Sequence, residues 1–488
     1  MGIVLKQSLN NTIVTYIGFA IGAVNTLVLY TKFMQPENYG LVQVVLSVSA
    51  VLMPVLAFGV PNSLVKFYSS FNEHKGKEGF LIMILLLPLV LIVPIALLSF
   101  FANEAIGGLL AKENPIVRNY VWHIFLIGLA MAYFEVFYAW VRVRMKSVFG
   151  NFMKEIFCRV CQSILLVLYV LELIEIEFFI NAVMVSYLLR MLIMKFYAYR
   201  LHMPKLIWDM PANWRDIVKY SALIILGGST AIVLMEIDKV MLNNFLPIAN
   251  VAYYGVAGFI AVSIAVPARA MHQITYPLTA EYLNNRDKLS LKGLYEKSSL
   301  TLFIISGLLF LLIILNLNDL YKLLPDGYAG GFFIVFWIGL AKVFDSLLGN
   351  NNAILYNSDY YRSILFFGVL LALMAIGLNL WLIPAYGLKG AAIASFSAFF
   401  VYNCLKLYYV KLRFHISPFT KETVKVFCLL LALGAIFYYV QFSFHPIVNI
   451  FLKSALLVLI YIFILYRFKI SEDVNEVIAK YFRKILEL

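Results

Sequence analysis

Fourteen apolar runs, each long enough to cross a lipid bilayer as a helix, follow one another along the sequence. About 20 consecutive apolar residues are needed to span the hydrocarbon layer. The runs are predicted at residues 9–31, 40–66, 79–101, 116–140, 152–171, 176–196, 218–243, 250–277, 298–316, 330–353, 362–383, 388–410, 424–440 and 446–466. Charged residues make up only 13% of the chain, against about 25% in soluble domains. The sequence therefore predicts an all-α integral membrane protein with fourteen transmembrane helices.

Lys and Arg fall mainly on one side of these runs. When bases near the ends of the spans are counted with the adjoining segments, 28 of the 39 Lys and Arg residues lie on the side of the N-terminus, five lie in loops on the opposite side and six lie in the interior of the spans. Cytoplasmic segments of membrane proteins carry an excess of Lys and Arg, and an even number of spans returns the chain to its starting side. We therefore expect both termini in the cytoplasm. The net charge of +13 then reflects topology and not a nucleic-acid partner.

An internal repeat organises the chain. Tyr39-Gly40 and Tyr254-Gly255 each stand where a short outer turn enters the next span, and two prolines follow in each of those spans. The prolines are Pro54 and Pro61 in the first copy and Pro267 and Pro277 in the second. Because proline removes a helical hydrogen bond, both spans should be bent. Six spans separate the copies, so we expect parallel repeats about an axis along the membrane normal.

The repeat divides the chain into two predicted six-helix lobes, followed by two additional helices. The predicted segments are an N-lobe at 1–196, a cytoplasmic interfacial connector at 197–217, a C-lobe at 218–411, the two additional spans at 412–470 and a cytoplasmic amphipathic tail helix at 471–488. Trp208 and Trp214 favour an interfacial position for the connector. The continuous apolar face of the tail favours anchoring on the inner membrane surface.

Three stretches resemble the bacterial polysaccharide flippases, which export O-antigen and other repeat units. They are TKFMQPENYGL at 31–41, IDKVMLNNFLPIANVAYYGVAG at 237–258 and LIPAYGLKGAAIAS at 382–395. The family belongs to the multidrug/oligosaccharidyl-lipid/polysaccharide (MOP) exporter superfamily, and the resemblance covers essentially the whole sequence. It implies a two-lobed fold in the bacterial plasma (inner) membrane. It also implies transfer of an undecaprenyl-diphosphate-linked oligosaccharide from the cytoplasmic to the outer leaflet by alternating access.

The resemblance implies partners as well. The lipid-linked glycan is the expected substrate, and membrane lipids surround the protein. The polymerase and glycosyltransferase machinery of surface polysaccharide synthesis would work beside it.

Cations within the spans are the candidate binding groups for a diphosphate. An ion in the hydrocarbon layer needs compensating charge. We expect Arg159, Arg269 and Lys342 to bind the headgroup, with Arg190 as a further contact. A structural role stays open for all of them. Glu155 precedes Arg159 by four residues, so the two share a helix face, whereas Arg190 and Arg269 could extend to the cytoplasmic surface.

Acidic residues within the spans are candidates for gating or for ion coupling. Glu236, Asp238 and Lys239 lie together near the outer end of the seventh span, and Asp345 lies in the tenth span, three residues after a lysine. Glu135 has no basic partner within a turn of its own helix. A neighbouring helix must therefore supply a partner, or Glu135 must take up a proton.

The sequence contains no motif for catalysis or for a metal site. It has no phosphate-binding glycine loop, no histidines at metal-ligand spacing and no nucleophile with its base. Cys158-x-x-Cys161 has no further ligand in its span, which favours a packing role. We therefore expect a transporter and not an enzyme, with no catalytic residue, metal or cofactor, and with coupling to H⁺ or Na⁺ left open.

Two other transporter classes stay open. A multidrug or toxin extrusion-type cation antiporter of the same superfamily typically has twelve spans and an acid in the first, whereas spans 1 and 2 here have no acid in their interior. A peptidoglycan lipid-precursor flippase shares the fourteen-span plan but resembles a pattern with arginines in its first two spans, where this chain has none. A membrane polymerase acting on the same glycans would need a large outer loop, which the sequence lacks.

The predicted topology can be tested by labelling cysteines from outside the cell. In a variant without the four native cysteines, a cysteine at Asn38 or Asp326 should react with an impermeant maleimide. A cysteine at Lys75 or Lys411 should react only after the membrane is permeabilised. The reverse pattern, at equal protein abundance, would overturn the orientation.

Overall fold

The computed structural model describes residues 2–71, 74–205, 210–228, 230–471 and 475–476, and the regular structure in these ranges is helical throughout. The α-helices are Gly2–Val24, Tyr30–Phe33, Pro36–Leu56, Val60–Phe67, His74–Leu86, Leu89–Phe101, Asn103–Leu110, Val121–Arg142, Ser147–Phe152, Cys158–Val170, Ile176–Leu201, Trp214–Gly228, Thr230–Phe245, Ala249–Val262, Val266–Asn284, Lys288–Tyr321, Phe332–Leu347, Asn351–Tyr356, Tyr361–Phe414, Lys421–Tyr439 and Pro446–Arg467. The predicted all-α class is confirmed.

Within the described residues, eleven helical segments are long and apolar enough to cross a membrane. Two of the fourteen predicted spans, 362–383 and 388–410, fall in Arg362–Phe414, where two helices follow each other across a kink at Gly387 (φ 58°, ψ −133°). Only a residue that tolerates positive φ fits such a bend. The chain is a multi-pass membrane protein, and the count of fourteen stays a prediction.

The other two predicted spans, 152–171 and 218–243, are also helical. A π-helical turn at Met153–Phe157 lies in the first. The second is helical over Trp214–Gly228 and Thr230–Phe245, on either side of residue 229, which lies outside the described residues.

The chain separates into two compact units. One contains Met1–Gly255 and Gly368–Ala394, and the other contains Val256–Phe367 and Ser395–Leu488. The lobe boundaries and the parallel repeat inferred from the sequence stay predictions. Trp208 of the connector and, apart from residues 471 and 475–476, the tail helix lie outside the described residues.

Each proline-containing span is interrupted close to one of its prolines, whereas Pro277 lies inside the unbroken helix Val266–Asn284. The helix Pro36–Leu56 contains Pro54 and ends two residues later, and Phe58 and Gly59 then adopt positive φ values of 51° and 65°. At Gly59 a Cβ atom would lie 2.2 Å from the carbonyl oxygen of Ser221, so a side chain cannot be placed there. In the second span, a 3₁₀ turn at Ser263–Ala265 comes directly before Val266–Asn284. Proline removes the hydrogen bonds that would continue each helix.

The two C-terminal helices of the second unit pack on Lys288–Tyr321. Tyr461 is buried and donates a hydrogen bond to the carbonyl oxygen of Ile304 at 3.0 Å. Nearer the other end of the same helix, the Asn316 amide donates to the Ser454 hydroxyl at 3.1 Å. Polar bonds between apolar helices fix their axial register, because a one-residue slide would leave each donor unpaired in a low-dielectric layer.

Gly40 allows a close backbone approach in the first unit. A Cβ atom at this position would lie 2.2 Å from the carbonyl oxygen of Ile248, in the turn before the second Tyr-Gly motif. The contact is with backbone, which cannot move aside as a flexible side chain would. The glycine of the first motif is therefore required by packing.

Gly40→Ala should destabilise the protein by about 1–3 kcal/mol, because the added methyl group overpacks this contact. The matched control is Gly108→Ala, since nothing lies within 4 Å of a Cβ atom there. In a helix the control change should be neutral or stabilising by up to about 1 kcal/mol. The thermal unfolding midpoints of the purified variants measure both effects, and equal midpoints would contradict the packing argument.

Candidate functional site

A polar cluster joins two membrane helices of the first unit. The Lys239 ammonium donates hydrogen bonds to the Glu236 carboxylate at 2.7 Å and to the Gln43 side-chain oxygen at 3.1 Å. The Ser47 hydroxyl donates to the same Glu236 oxygen at 2.6 Å. Glu236 and Lys239, two of the predicted gating residues, therefore neutralise each other. Gln43 and Ser47 connect this pair to the helix Pro36–Leu56.

Asp238 faces a different set of partners. Its side chain is only 3% exposed and accepts hydrogen bonds from the Tyr254 hydroxyl and, at 2.8 Å, from the Asn379 amide. Asn379 is fully buried in the helix Tyr361–Phe414. Asp238 thus links three helical segments of the first unit, and two neutral donors satisfy its oxygens. No sequence pattern indicates the Asn379 contact, because it joins residues 141 positions apart.

Asn114 holds the turn that follows the seventh predicted span. Its amide nitrogen donates to the carbonyl oxygens of Asn243 at 2.7 Å and Leu246 at 2.9 Å. Its side-chain oxygen accepts from the backbone N–H of Ile248 at 2.8 Å. Asn114 is buried, and one side chain therefore satisfies three backbone groups of a turn. Its role could not be predicted from sequence, because an asparagine in a loop is common.

A cavity of about 220 Å³ lies in the first unit, beside the break between Pro36–Leu56 and Val60–Phe67. Glu135, Arg142 and Lys154 contribute its charged groups. The Lys154 ammonium donates to the Glu135 carboxylate at 2.6 Å, and the Arg142 guanidinium lies 5.1 Å from the centre of the Tyr138 ring. A neighbouring segment therefore supplies the partner that Glu135 lacks in its own helix. The three charged side chains carry a net charge of one positive.

Arg142 and Lys154 were not among the cations singled out in the sequence. Both lie at helix ends, where a basic residue is explained by topology alone. The signal that distinguishes them is their distance from an in-span acid on another helix, which a sequence does not contain. The structure adds these two residues to the candidate site.

The predicted cations of the first unit occupy two different surroundings. Arg159 is about one-third exposed and forms an ion pair with Glu155 at 3.0 Å, as their spacing indicates. Arg190 is only 7% exposed, and its guanidinium lies 4.3 Å from the Phe134 ring centre and 4.7 Å from that of Tyr187. Because Arg190 is buried between rings, its side chain does not extend to the membrane surface.

The predicted cations of the second unit differ in their exposure. Lys342 lies over the Phe399 ring, 4.4 Å from its centre. Arg269 is exposed on the helix Val266–Asn284 and forms no hydrogen bond or ion pair with any residue that the structure describes. Its charge is therefore available to a ligand without breaking a bond within the protein.

Asp345 has a partner that the sequence did not identify. Lys406 is only 1% exposed, and its ammonium lies 3.5 Å from the Asp345 carboxylate and 2.9 Å from the side-chain oxygen of Asn352. The same ammonium lies 4.4 Å from the Tyr402 ring centre. A fully buried lysine with one carboxylate partner depends on that partner for its charged form.

One comparison with known proteins identifies the family, and another identifies the fold. The family described as polysaccharide biosynthesis protein matches residues 4–283. No curated protein matches the sequence significantly. The structure of the lipid II flippase MurJ in an inward closed conformation has a TM-score of 0.74 and 14% identity, covering 94% of this chain and 99% of that one.

Multidrug-type transporters share the fold as well. An inward-facing multidrug resistance MATE family transporter of the MOP superfamily has a TM-score of 0.62 at 15% identity, covering 83% of this chain and 94% of its own. A MOP superfamily transporter from Pyrococcus furiosus has a TM-score of 0.56 at 15% identity, covering 84% and 96% of the two chains.

Asp345→Asn should lower the stability by about 1–3 kcal/mol, because it leaves the buried Lys406 ammonium without its carboxylate. The double variant Asp345→Asn with Lys406→Met removes both charges and should recover most of that loss. Glu422→Gln is the control, since Glu422 and Lys425 form an ion pair of 3.8 Å in which both side chains are exposed. This substitution should change the stability by less than about 0.5 kcal/mol. Thermal unfolding of the four proteins tests this, and a double variant less stable than Asp345→Asn would contradict it.

Proposed function

The chain belongs to the polysaccharide biosynthesis protein family and has the fold of MOP-superfamily transporters, and from this premise we propose that it is a flippase for an undecaprenyl-diphosphate-linked oligosaccharide. It moves this lipid from the cytoplasmic to the outer leaflet of the bacterial inner membrane by alternating access. Both termini lie in the cytoplasm in this proposal. The glycosyltransferases and the polymerase of surface polysaccharide synthesis act before and after it.

The observation that carries the proposal is the cavity at the break between Pro36–Leu56 and Val60–Phe67. Its charged side chains, Arg142 and Lys154 against Glu135, leave one excess positive charge. The positive-inside distribution favours a cytoplasmic position for this end of the helices, where a diphosphate-linked substrate is made. A cavity of about 220 Å³ accommodates the diphosphate itself, while the polyprenyl chain stays in the lipid.

Glu135 has a specific role in this mechanism. In the empty protein its carboxylate compensates Lys154, so no cation is left unpaired in a partly buried site. An entering diphosphate accepts hydrogen bonds from Lys154 and Arg142, and it replaces the carboxylate as the partner of Lys154. Because the Glu135 pair re-forms when the substrate leaves, release needs no separate source of negative charge.

The other charged residues have assigned roles in the proposal. Arg159, Arg190, Arg269 and Lys342 are further contacts for the headgroup along its path, and Arg269 is the most available because it has no described partner. Glu236, Asp238, Lys239 and Asp345 are gating or coupling groups, since each already holds helices together through polar bonds. H⁺ or Na⁺ is the candidate coupling ion.

A peptidoglycan lipid-precursor flippase is the second candidate. The observation that favours it is the fold shared with the lipid II flippase MurJ over nearly the whole of both chains. The two candidates carry the same diphosphate and differ in the sugar. Depletion of the protein separates them, since loss of surface polysaccharide with normal cell-wall synthesis supports the first, and arrested wall synthesis supports the second.

Removing the cations of the cavity should stop export. We expect the double variant Arg142→Ala with Lys154→Ala to reduce surface glycan by about tenfold or more, because each charge-assisted hydrogen bond contributes about 1.5–3 kcal/mol. The lipid-linked unit should then accumulate in the inner leaflet. Adding Glu135→Gln to the same protein removes the carboxylate left unpaired and keeps the fold comparable to wild type.

Arg200→Ala is the matched control, because Arg200 is an exposed base at the end of Ile176–Leu201 and does not line the cavity. It should export normally.

Arg269→Ala tests the contribution of the second unit to export. Arg269→Lys should retain part of the activity, since the charge is required there more than a bidentate hydrogen bond. Normal export by the double and triple variants, at normal abundance, would refute the cationic cavity.

A further inference from the structure

A second polar cavity, of about 410 Å³, lies in the second unit at one end of three helices. The helices are Lys288–Tyr321, Lys421–Tyr439 and Pro446–Arg467. The family match ends at residue 283, before all three begin, and the transport mechanism above uses none of the residues that line this cavity. Its charged side chains are Asp319, Lys322 and Lys453.

Lys453 is the unusual group in this cavity. Its side chain is only 7% exposed, and its ammonium donates one hydrogen bond, to the carbonyl oxygen of Leu315 at 3.0 Å. An ammonium has three donor positions, and no carboxylate among the described residues forms an ion pair with it. A buried cation with two unused donors is costly unless an anion completes its shell.

Neighbouring groups provide further donors. Asn449 is 6% exposed, and its side-chain oxygen accepts from the backbone N–H of Phe444 at 3.2 Å. Its amide nitrogen has no partner among the described residues and remains available. Asn318, Gln441 and the exposed Tyr438 complete the polar rim. The cavity therefore offers hydrogen-bond donors around one buried positive charge.

The charge of the cavity selects among anions. Asp319 and Lys322 neutralise each other in an ion pair of 2.8 Å, with Lys322 mostly in solvent. The three charged side chains of the cavity sum to one positive charge, so the cavity suits a group with one negative charge. A phosphodiester carries one negative charge, whereas the diphosphate of the transported lipid carries more.

The surroundings of the cavity are those of a lipid site. On the helices that line the cavity, Tyr439 is 82% exposed and Ile447 is 59% exposed, and Phe451 and Phe463 are exposed on Pro446–Arg467. Such side chains face acyl chains in a membrane. We propose that this cavity binds the headgroup phosphodiester of an anionic phospholipid, with Lys453 as its charge partner and Asn449 as a donor.

The orientation predicted from Lys and Arg places this site in the outer leaflet. Only this assignment to a leaflet rests on the proposed topology. The binding itself does not depend on transport, so a failed transport assay and a failed binding assay give separate answers. The site would hold a structural lipid against the two C-terminal helices.

The test uses the purified full-length protein in a neutral detergent, with dioctanoyl phosphatidylglycerol as the probe. Thermal unfolding is followed against probe concentration, because a ligand that binds the folded state raises the midpoint. Dioctanoyl phosphatidylcholine, inorganic phosphate and pyrophosphate are the comparison ligands. We expect the phosphatidylglycerol to stabilise the wild type at concentrations where the other three do not.

Lys453→Gln should weaken the apparent affinity for phosphatidylglycerol by about tenfold or more, and Lys453→Arg should retain it. Lys425→Gln removes an exposed lysine from the opposite end of Lys421–Tyr439 and should leave the affinity unchanged. If Lys453→Gln does not fold, Asp319→Asn provides a second test, since it releases Lys322 and should tighten binding.

Three results would overturn the proposal. Equal stabilisation by phosphatidylcholine would show that charge is not selected. Stabilisation by inorganic phosphate or pyrophosphate at the same concentrations would assign the site to a free anion or a diphosphate. Unchanged phosphatidylglycerol affinity in both Lys453→Gln and Asp319→Asn would place the bound lipid elsewhere.

Discussion

A charge buried in a hydrocarbon layer is costly unless a partner lies within hydrogen-bond distance, and much of the packing of these helices depends on that requirement. Lys239 is held by Glu236 and Gln43, and Lys406 by Asp345 and Asn352. Each set of partners comes from more than one helix. The apolar surface makes the helices associate without choosing their register, whereas a polar contact fixes one register because a slide leaves a charge unpaired. The few in-span charges therefore specify the arrangement that many apolar residues only permit.

The part of this network that is local in sequence could be predicted from it. Glu155 with Arg159 and Glu236 with Lys239 pair as their spacing indicates, since residues three or four apart share a helix face in any fold. The pairs Glu135–Lys154 and Asp345–Lys406 could not, because their members lie 19 and 61 residues apart. Both lysines also lie towards helix ends that the Lys and Arg distribution predicts to be cytoplasmic, where topology already explains a base. Because Lys and Arg are concentrated near such helix ends, a lysine found there does not by itself indicate an internal ion pair.

The positions of the helices follow from the apolar runs, but their continuity does not. At Gly387 two helices follow each other across a kink without a connecting loop, and a π-helical turn at Met153–Phe157 lies within another predicted span. Hydropathy measures how much apolar length is present and is insensitive to where a backbone bends. The bends at Pro54 and Pro267 were predictable because proline has a chemical reason to break a helix. A glycine or a π turn has no such obligation, so its effect appears only in the folded chain.

The hydrogen bonds of Asn114 make the turn at 246–248 an all-or-none element. All three bonds are made by the side-chain amide of Asn114, so a movement of the turn away from Asn114 breaks them together and not one after another. At about 1 kcal/mol net for each bond, the released form lies about 3 kcal/mol higher, which corresponds to a population below about 1%. A turn held in this way spends nearly all of its time closed and opens in brief, rare events. The turn is therefore a two-state element with a held form and a released form, and intermediate positions are not occupied.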